Sequence, residues 1–286
     1  MYKRQGIYVN GNVTANSLTI ENPIVDGDNG KGIYTYGGDV NINVNKLTIK
    51  SYGHGIFTTP DAQSNVNILD AEIVNIETDG AHGIVNSGDA SHVNNIIIKS
   101  DRENSLVDIF SHTAGISNNN SGGGVIDIKA DTISIGTDNL YAVRGDHGDI
   151  ILNAQNNTIS GGTSGVHTLN GDIKITAEKG NQIATTNNKD VTLGAIYTST
   201  DKEGNPGNGT IEIIAKNGNN KVNAVTDGVH TKGNGTVDLI ANGYNSIISD
   251  KNAVYNNGTN TINIKAVVSD CLLYTSPSPR DKRQSR

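Results

Sequence analysis

The sequence predicts an all-β fold, a right-handed parallel β-helix (a solenoid) of about ten irregular coils. Three features lead there: a composition dominated by turn formers, a short phrase that recurs along the chain, and a period of two between its recurrences. The 286 residues include 40 Asn and 34 Gly but only 2 Phe, 5 Pro and no Trp. Gly and Asn are poor in helix interiors and good in turns, which argues against a helical protein. No run of about 18 apolar residues exists, so no membrane-spanning helix is encoded. Charged residues make up only 18%, and short Ile/Val-rich runs continue to the end, unlike a highly charged disordered chain.

The recurring phrase is a small residue, then an aliphatic residue, then often a ring. In chain order it reads Gly6-Ile7-Tyr8, Gly32-Ile33-Tyr34, Gly55-Ile56-Phe57, Gly83-Ile84-Val85 and Gly115-Ile116-Ser117. It continues as Asn139-Leu140-Tyr141, Gly165-Val166-His167, Ala195-Ile196-Tyr197, Gly228-Val229-His230 and Ala253-Val254-Tyr255. The intervals run from 23 to 33 residues, so the unit is irregular in length and regular in grammar. Leu106–Phe110 competes with Gly115 as the start of the fifth unit.

Within each unit apolar and polar residues alternate, as in Val40-Asn41-Ile42-Asn43-Val44, Ile173-Lys174-Ile175, Ile211-Glu212-Ile213 and Ile262-Asn263-Ile264. Turn residues such as Gly37-Gly38-Asp39, Asn170-Gly171-Asp172 and Asn234-Gly235 separate them. A unit is therefore two or three short strands joined by polar corners. Such strands are too short to stand alone. Coiling one unit per turn and stacking the turns pairs every strand with its counterpart and builds a continuous core from the inward Ile, Val and Leu. Asn at the corners tolerates a left-handed backbone and can form amide ladders from turn to turn. Ten turns at about 4.8 Å make a rod roughly 45 Å long. A β-sandwich or propeller is the competing architecture.

The two ends read as foreign sequence. Residues 271–281 (Cys-Leu-Leu-Tyr-Thr-Ser-Pro-Ser-Pro-Arg-Asp) back-translate into the transposon adapter used for sequencing libraries. Tyr2-Lys3-Arg4-Gln5 back-translates into its reverse complement. Residues 1–5 and 271–286 are therefore expected to be adapter-derived, the latter disordered, leaving 6–270 as the passage to be folded and the chain as a fragment. Residues 6–270 then contain no Cys and no disulfide. They hold 16 basic against 28 acidic residues, a net charge of −12, which disfavours nucleic acid as a partner.

Asn/Gly/Thr-rich coils built on Gly-Ile-Tyr-Thr, Gly-Val-His-Thr and Val-Asn-Ile resemble the passenger domains of bacterial autotransporters. The resemblance covers 6–270 and rests on repeat grammar. It implies a non-enzymatic cell-surface adhesin or biofilm-type rod, exported across the outer membrane and held there by a C-terminal barrel outside this sequence. Its partner would be a glycan or protein on a host or neighbouring cell. Filamentous haemagglutinins and phage tailspikes share the same physics. The alternative from another class is a β-helical lyase or hydrolase that degrades polysaccharide.

No motif assigns a catalytic residue, a cofactor site or a metal site. Ser87-Gly88-Asp89 has the order wrong for a serine-protease turn, and Gly162-Thr163-Ser164-Gly165 lacks the second Gly of a nucleophile elbow. Asp26-Gly27-Asp28-Asn29-Gly30 departs from a calcium loop at its fifth and sixth positions. Asp149 and Asp172 open the second strand of consecutive turns, where carboxylates usually cap backbone amides. Arg102 and Arg144, the two arginines of 6–270, show no acidic constellation. His167 and His230 are two turns apart, too far to share a zinc ion, and His54 with His82 lacks a third ligand.

What remains is a face. If the aliphatic residue of the phrase points inward, the next residue points outward. Those residues are Tyr8, Tyr34, Phe57, Val85, Ser117, Tyr141, His167, Tyr197, His230 and Tyr255. The last five form the candidate binding stripe, expected to present a sugar- or protein-binding strip or else to protect the sheet as stacked rings.

Overall fold

The computed structural model describes residues 6–9, 11–22, 30–59, 63–186, 193–199, 209–259, 261–267 and 272–275. They form a right-handed parallel β-solenoid of about nine turns. Among the described residues none is helical, and no helix is long and apolar enough to cross a membrane.

Each turn contributes one strand to each of three parallel ladders. The first ladder is a ten-stranded sheet running in chain order from Ile7–Tyr8 to Val254–Asn256. The other two ladders share a sixteen-stranded sheet. Four long strands, Gly11–Asn22, Val40–Ser51, Ile150–Gly161 and Ile173–Thr185, run through both ladders. In other coils a turn divides the two, as between Val66–Leu69 and Ile73–Thr78. Asp70 (φ 57°) and Asn104 (φ 61°) take left-handed backbone at such turns, a conformation Asp and Asn tolerate better than other residues with a Cβ.

The phrase makes the first ladder, and its grammar has a steric cause. A Cβ at Gly55 would lie 2.4 Å from the carbonyl oxygen of Gly83 and 2.5 Å from Cγ2 of Ile76. Gly32, Gly83 and Gly115 are hemmed in the same way. The aliphatic residue that follows is inward: Ile33, Ile56, Ile84, Ile116, Val166, Ile196 and Val229 are all fully buried.

The sixth phrase is placed differently from the sequence expectation. Ile116 pairs with Val143, and Val143 with Val166. Ala142-Val143-Arg144 therefore fills the slot assigned to Asn139-Leu140-Tyr141. Leu140 is 38% exposed at the corner before it. Gly115 keeps its slot, and Leu106–Ser111 belongs to the third ladder.

The second ladder stacks Val40, Val66, Ile96, Ile126, Ile150, Ile173, Ile211 and Val237 in register, all fully buried. In the third ladder one inward column changes chemistry half-way. It begins Leu18, Leu47, Val74, Val107, Ile133 and continues Asn157, Asn181, Asn220, Asn245. Amide bonds run from turn to turn at the corners as expected, as from Asn95 to Asn65 at 3.1 Å, and this second amide ladder lies inside the rod. Leu272–Thr275 adds a final parallel strand on Asn245–Ser249. Disorder was expected over 271–286, and these four residues are instead a strand, because the last ladder offers unpaired backbone groups to any chain that reaches it. Residues 1–5, 268–271 and 276–286 lie outside the described residues.

Candidate functional site: the outer ring column

Alternation along the first ladder sends the residue after each aliphatic anchor away from the core, and the rings there stack from turn to turn. Tyr8 and Tyr34 have centroids 5.8 Å apart, and Tyr34 and Phe57 stack at 5.8 Å and 12°. Lys31 Nζ lies 4.6 Å from both the Tyr34 and the Phe57 ring. His54 joins this group 4.8 Å from Phe57 and stacks on His82 at 5.2 Å. Stacked face to face, the two imidazoles pack as rings do, and the acidic or cysteine ligand a metal would need is missing from their phrase.

Val85 and Ser117 interrupt the column, and Arg144 follows in register with Ser117 and His167. Arg144 donates from Nε and from Nη2 to one oxygen of Asp146, at 2.9 and 2.8 Å. Its guanidinium also lies 5.3 Å from the Tyr141 ring. A cation thus stands where the sequence pattern placed Tyr141.

The candidate stripe itself is contiguous. Tyr141 pairs with Ser164, three residues before His167, yet its ring reaches across to stack on His167 at 4.7 Å. His167 stacks on Tyr197 at 4.9 Å. Tyr197 meets His230 edge-on at 4.9 Å, and His230 meets Tyr255 at 4.6 Å. All five named residues are brought together. The exposure expected of a binding strip is not shared by all. His167, Tyr197 and His230 are 4%, 4% and 3% exposed, whereas Tyr255 is 38% exposed. Each middle ring lies between two ring neighbours 4.6–4.9 Å away, stacked or edge-on, so contact along the column removes much of the surface.

Burial sets the charge state. The His167 imidazole falls to about 3, first because it is desolvated and then because of the Arg144 charge. Neither of its ring nitrogens has a hydrogen-bond partner, so the ring is neutral. His230 is also lowered, mainly by burial, while Asp227 pulls the other way. Asp227 Oδ2 contacts His230 Nδ1 at 2.9 Å, and Asp227 Oδ1 accepts from the Asn252 side chain at 2.8 Å. Alternation assigns residues 227 and 230 to opposite faces, so no sequence signal announced this pair.

The remaining candidates sort cleanly. Asp149 Oδ1 accepts the backbone N–H of Asp172 at 2.9 Å, and Asp172 Oδ1 that of Thr210 at 2.7 Å. Asp39 and Asn65 hold the equivalent corners of earlier turns in the same way. Ser164 opens the strand Ser164–Thr168, is buried, and its hydroxyl donates to the Val166 and Ala195 carbonyls at 3.2 and 3.4 Å. Asp26–Asn29 lie outside the described residues. The sequence reading missed a loop cluster after Ser87-Gly88: Asp89 Oδ1 receives the Ser91 hydroxyl and lies 2.8 Å from His92 Nδ1, with Ser91 Oγ 3.1 Å from that same nitrogen. These hydrogen bonds hold the Asp89 carboxyl down at about 2. A relay needs the hydroxyl and the carboxylate on different ring nitrogens, so the cluster is a turn cap. Among the described residues no group of three His, Cys, Asp or Glu could hold a metal ion. No family model, curated protein or solved structure matches the chain.

Proposed function

We propose that the chain is a stretch of a non-enzymatic bacterial cell-surface adhesin or biofilm-type rod that engages a glycan or protein on a host or neighbouring cell. The observation that carries this reading is the uninterrupted ten-stranded ladder. It turns a 23–33-residue unit into a stiff surface that presents side chains at the same spacing turn after turn, which suits recognition of an extended partner. Engagement of Asp149 and Asp172 in backbone capping supports the reading, since two carboxylates already committed to amides are poor general acids or bases. Location at the bacterial surface after export, with a barrel anchor elsewhere in the parent protein, belongs to the same proposal.

The test is attachment. Beads coated with the chain should adhere to epithelial or bacterial cells and be displaced by free chain. In parallel, the chain is incubated with acidic polysaccharides and new chain ends are assayed. Adhesion without new ends supports the proposal. New ends would replace it with the polysaccharide-degrading reading, and absence of adhesion would remove it.

A further inference from the structure

A second surface, away from the ring column, has the chemistry of a ligand site. Ile173–Thr185 carries one residue more than Ile150–Gly161 between the pairs Ala154/Ala177 and Asn156/Gly180. The extra residue makes a bulge that pushes Glu178 and Lys179 outward. Beside it, six positions form a grid on three successive turns. Asn156, Gly180 and Asn219 are one column, and Thr158, Gln182 and Lys221 are the next. Five of the six carry polar side chains. The sixth is Gly180, so the centre of the grid is a hole, and a cleft opens there with Lys179 on its rim.

The backbone does not require glycine at that point, since Gly180 has no positive φ. A Cβ there would sit close against the next turn, 3.1 Å from the Asn219 carbonyl oxygen and 3.8 Å from the Asn219 nitrogen, which the backbone can take with a small shift. Glycine inside a strand weakens it and marks a bulge, as here, or a place where something approaches the backbone closely.

Charge gives a second, independent indication. Five outward lysines of the rod meet an acid one turn away: Lys50 with Glu77, Lys99 with Asp127, Lys129 with Asp101, Lys174 with Glu212 and Lys216 with Glu178. Lys179 and Lys221 are not among these five, and Lys221 Nζ lies 6.0 Å from the Tyr244 ring. Both are exposed, both line the cleft, and neither has an ion-pair partner among the described residues. No carboxylate lines the cleft, on a chain whose net charge is −7.

We infer that this cleft binds an acidic polysaccharide, its carboxylates on Lys179 and Lys221 and its hydroxyls on Asn156, Thr158, Gln182 and Asn219. The inference deepens the proposed glycan-binding role and rests on it. Side-chain amides and hydroxyls both donate and accept, which matches sugar hydroxyls. Two cations on an acidic rod suit a polymer of sparse charge and disfavour nucleic acid, whose dense phosphates the remaining surface repels. The columns run along the rod at about 4.8 Å per turn, so the polymer lies across three turns.

Titration calorimetry on the full chain tests it, with polygalacturonate, alginate and hyaluronate oligomers, dextran as the neutral control and single-stranded DNA as the dense polyanion. At least one acidic oligomer should bind, more weakly as salt is added, and dextran and DNA should not. Lys179→Gln with Lys221→Gln should weaken binding by about tenfold or more, the worth of a hydrogen bond to a charged group. Gly180→Thr, which suits a strand and fills the hole, should weaken it similarly with both lysines present. Circular dichroism melting of each variant confirms that the fold is kept. Failure of all three acidic oligomers, DNA binding as tight as theirs, or folded variants that bind unchanged would each overturn the cleft. Loss of the cleft with cell attachment intact leaves the adhesin reading standing. New chain ends on a bound oligomer would sink the non-enzymatic reading and leave the cleft.

Discussion

The side-chain amide of Asn157 donates to Asn181 Oδ1 one turn further along, at 2.8 Å, in the inward column that Ile133 occupies one turn before. Asn181 repeats the bond to Asn220, and Asn220 to Asn245, both at 2.8 Å. The second amide hydrogen of each goes to a carbonyl oxygen, as from Asn157 to Thr176 at 3.0 Å and from Asn181 to Ile214 at 2.8 Å. Only the first rung is incomplete: Asn157 Oδ1 has no partner, because Ile133 has nothing to donate. Breaking the ladder in the middle and moving its end should therefore differ. Asn181→Leu leaves one donor and one acceptor stranded at about 1–3 kcal/mol each, partly offset by the apolar side chain, for a net loss of about 2–4 kcal/mol. Asn157→Leu exchanges one orphan oxygen for another and should lose about 1 kcal/mol. Denaturant midpoints of the two variants decide, and equal losses would show that the ladder does not act as a unit.

Removal of a whole coil should be milder than removal of one rung. Excising residues 165–194 joins Ser164 to Ala195, which places Ala195 in the slot of Gly165, and sets Asn157 opposite Asn220 with the ladder re-formed. Each turn contacts only its neighbours, so the shortened chain should keep a strand-type circular dichroism spectrum, with or without reductant. A helical or unstructured spectrum would contradict a stack of interchangeable turns.

The slot held by Val143 gives a local test of register. Val143 is fully buried between Ile116 and Val166, whereas Leu140 is 38% exposed. Leu140→Asp should change stability by no more than about 0.5 kcal/mol, as surface substitutions do. Val143→Asp buries an unpaired charge and should remove more than about 4 kcal/mol, enough to unfold the chain. Soluble expression and urea titration of both variants read the outcome, and the reverse ranking would restore the register in which Leu140 is the anchor.

That slot also shows what was legible in the sequence. The first ladder could be read because glycine and a buried aliphatic residue are forced by contact with the next turn, as at Gly55 and Ile56. Leu140-Tyr141 matched the phrase as a string, while Ala142-Val143-Arg144 lacks a ring, and spacing fitted both, so composition decided. The inward place of Asn157 and Asn181 was not legible because a buried amide is affordable only with a donor or acceptor one turn away, a relationship between turns that no single coil displays. The stripe was legible in direction but not in exposure: alternation says which face His167 and Tyr197 leave, and says nothing of how completely neighbouring rings cover them.

His167 makes stability depend on pH. Its folded value is about 3, below the ordinary 6.5 of an unfolded chain. Between these values the unfolded state binds more protons than the folded one, so stability rises with pH and is lost as pH falls from about 6.5 toward 3. The slope from this one group is at most roughly 1.4 kcal/mol per pH unit. His82 and His230, also lowered by burial, add in the same direction. His167→Phe keeps the stack and cannot take a proton, so it should flatten the loss between pH 7 and pH 4.5 measured by urea unfolding. An unchanged slope would mean that His167 finds a proton acceptor or solvent when charged.

The two tyrosines of the stripe separate its structural share from its binding share. Tyr197 is 4% exposed, lies between two imidazoles and sits 5.7 Å from Lys232 Nζ. Tyr255 touches only His230 within the column and is 38% exposed. Threonine keeps strand propensity and removes the ring. Tyr197→Thr should open a cavity between His167 and His230 and destabilise the rod by about 3 kcal/mol, near the lower end for deleting a large aromatic side chain. Tyr255→Thr gives up one ring pair worth about 0.5–1.5 kcal/mol and should leave the rod folded. Cell attachment then discriminates, measured below the melting point of both variants. If it falls with Tyr255→Thr and with Tyr141→Thr, the accessible ends of the column contact the partner. If attachment survives in both and only Tyr197→Thr lowers the melting temperature, the rings serve to bind one turn to the next, and the partner is held elsewhere on the rod.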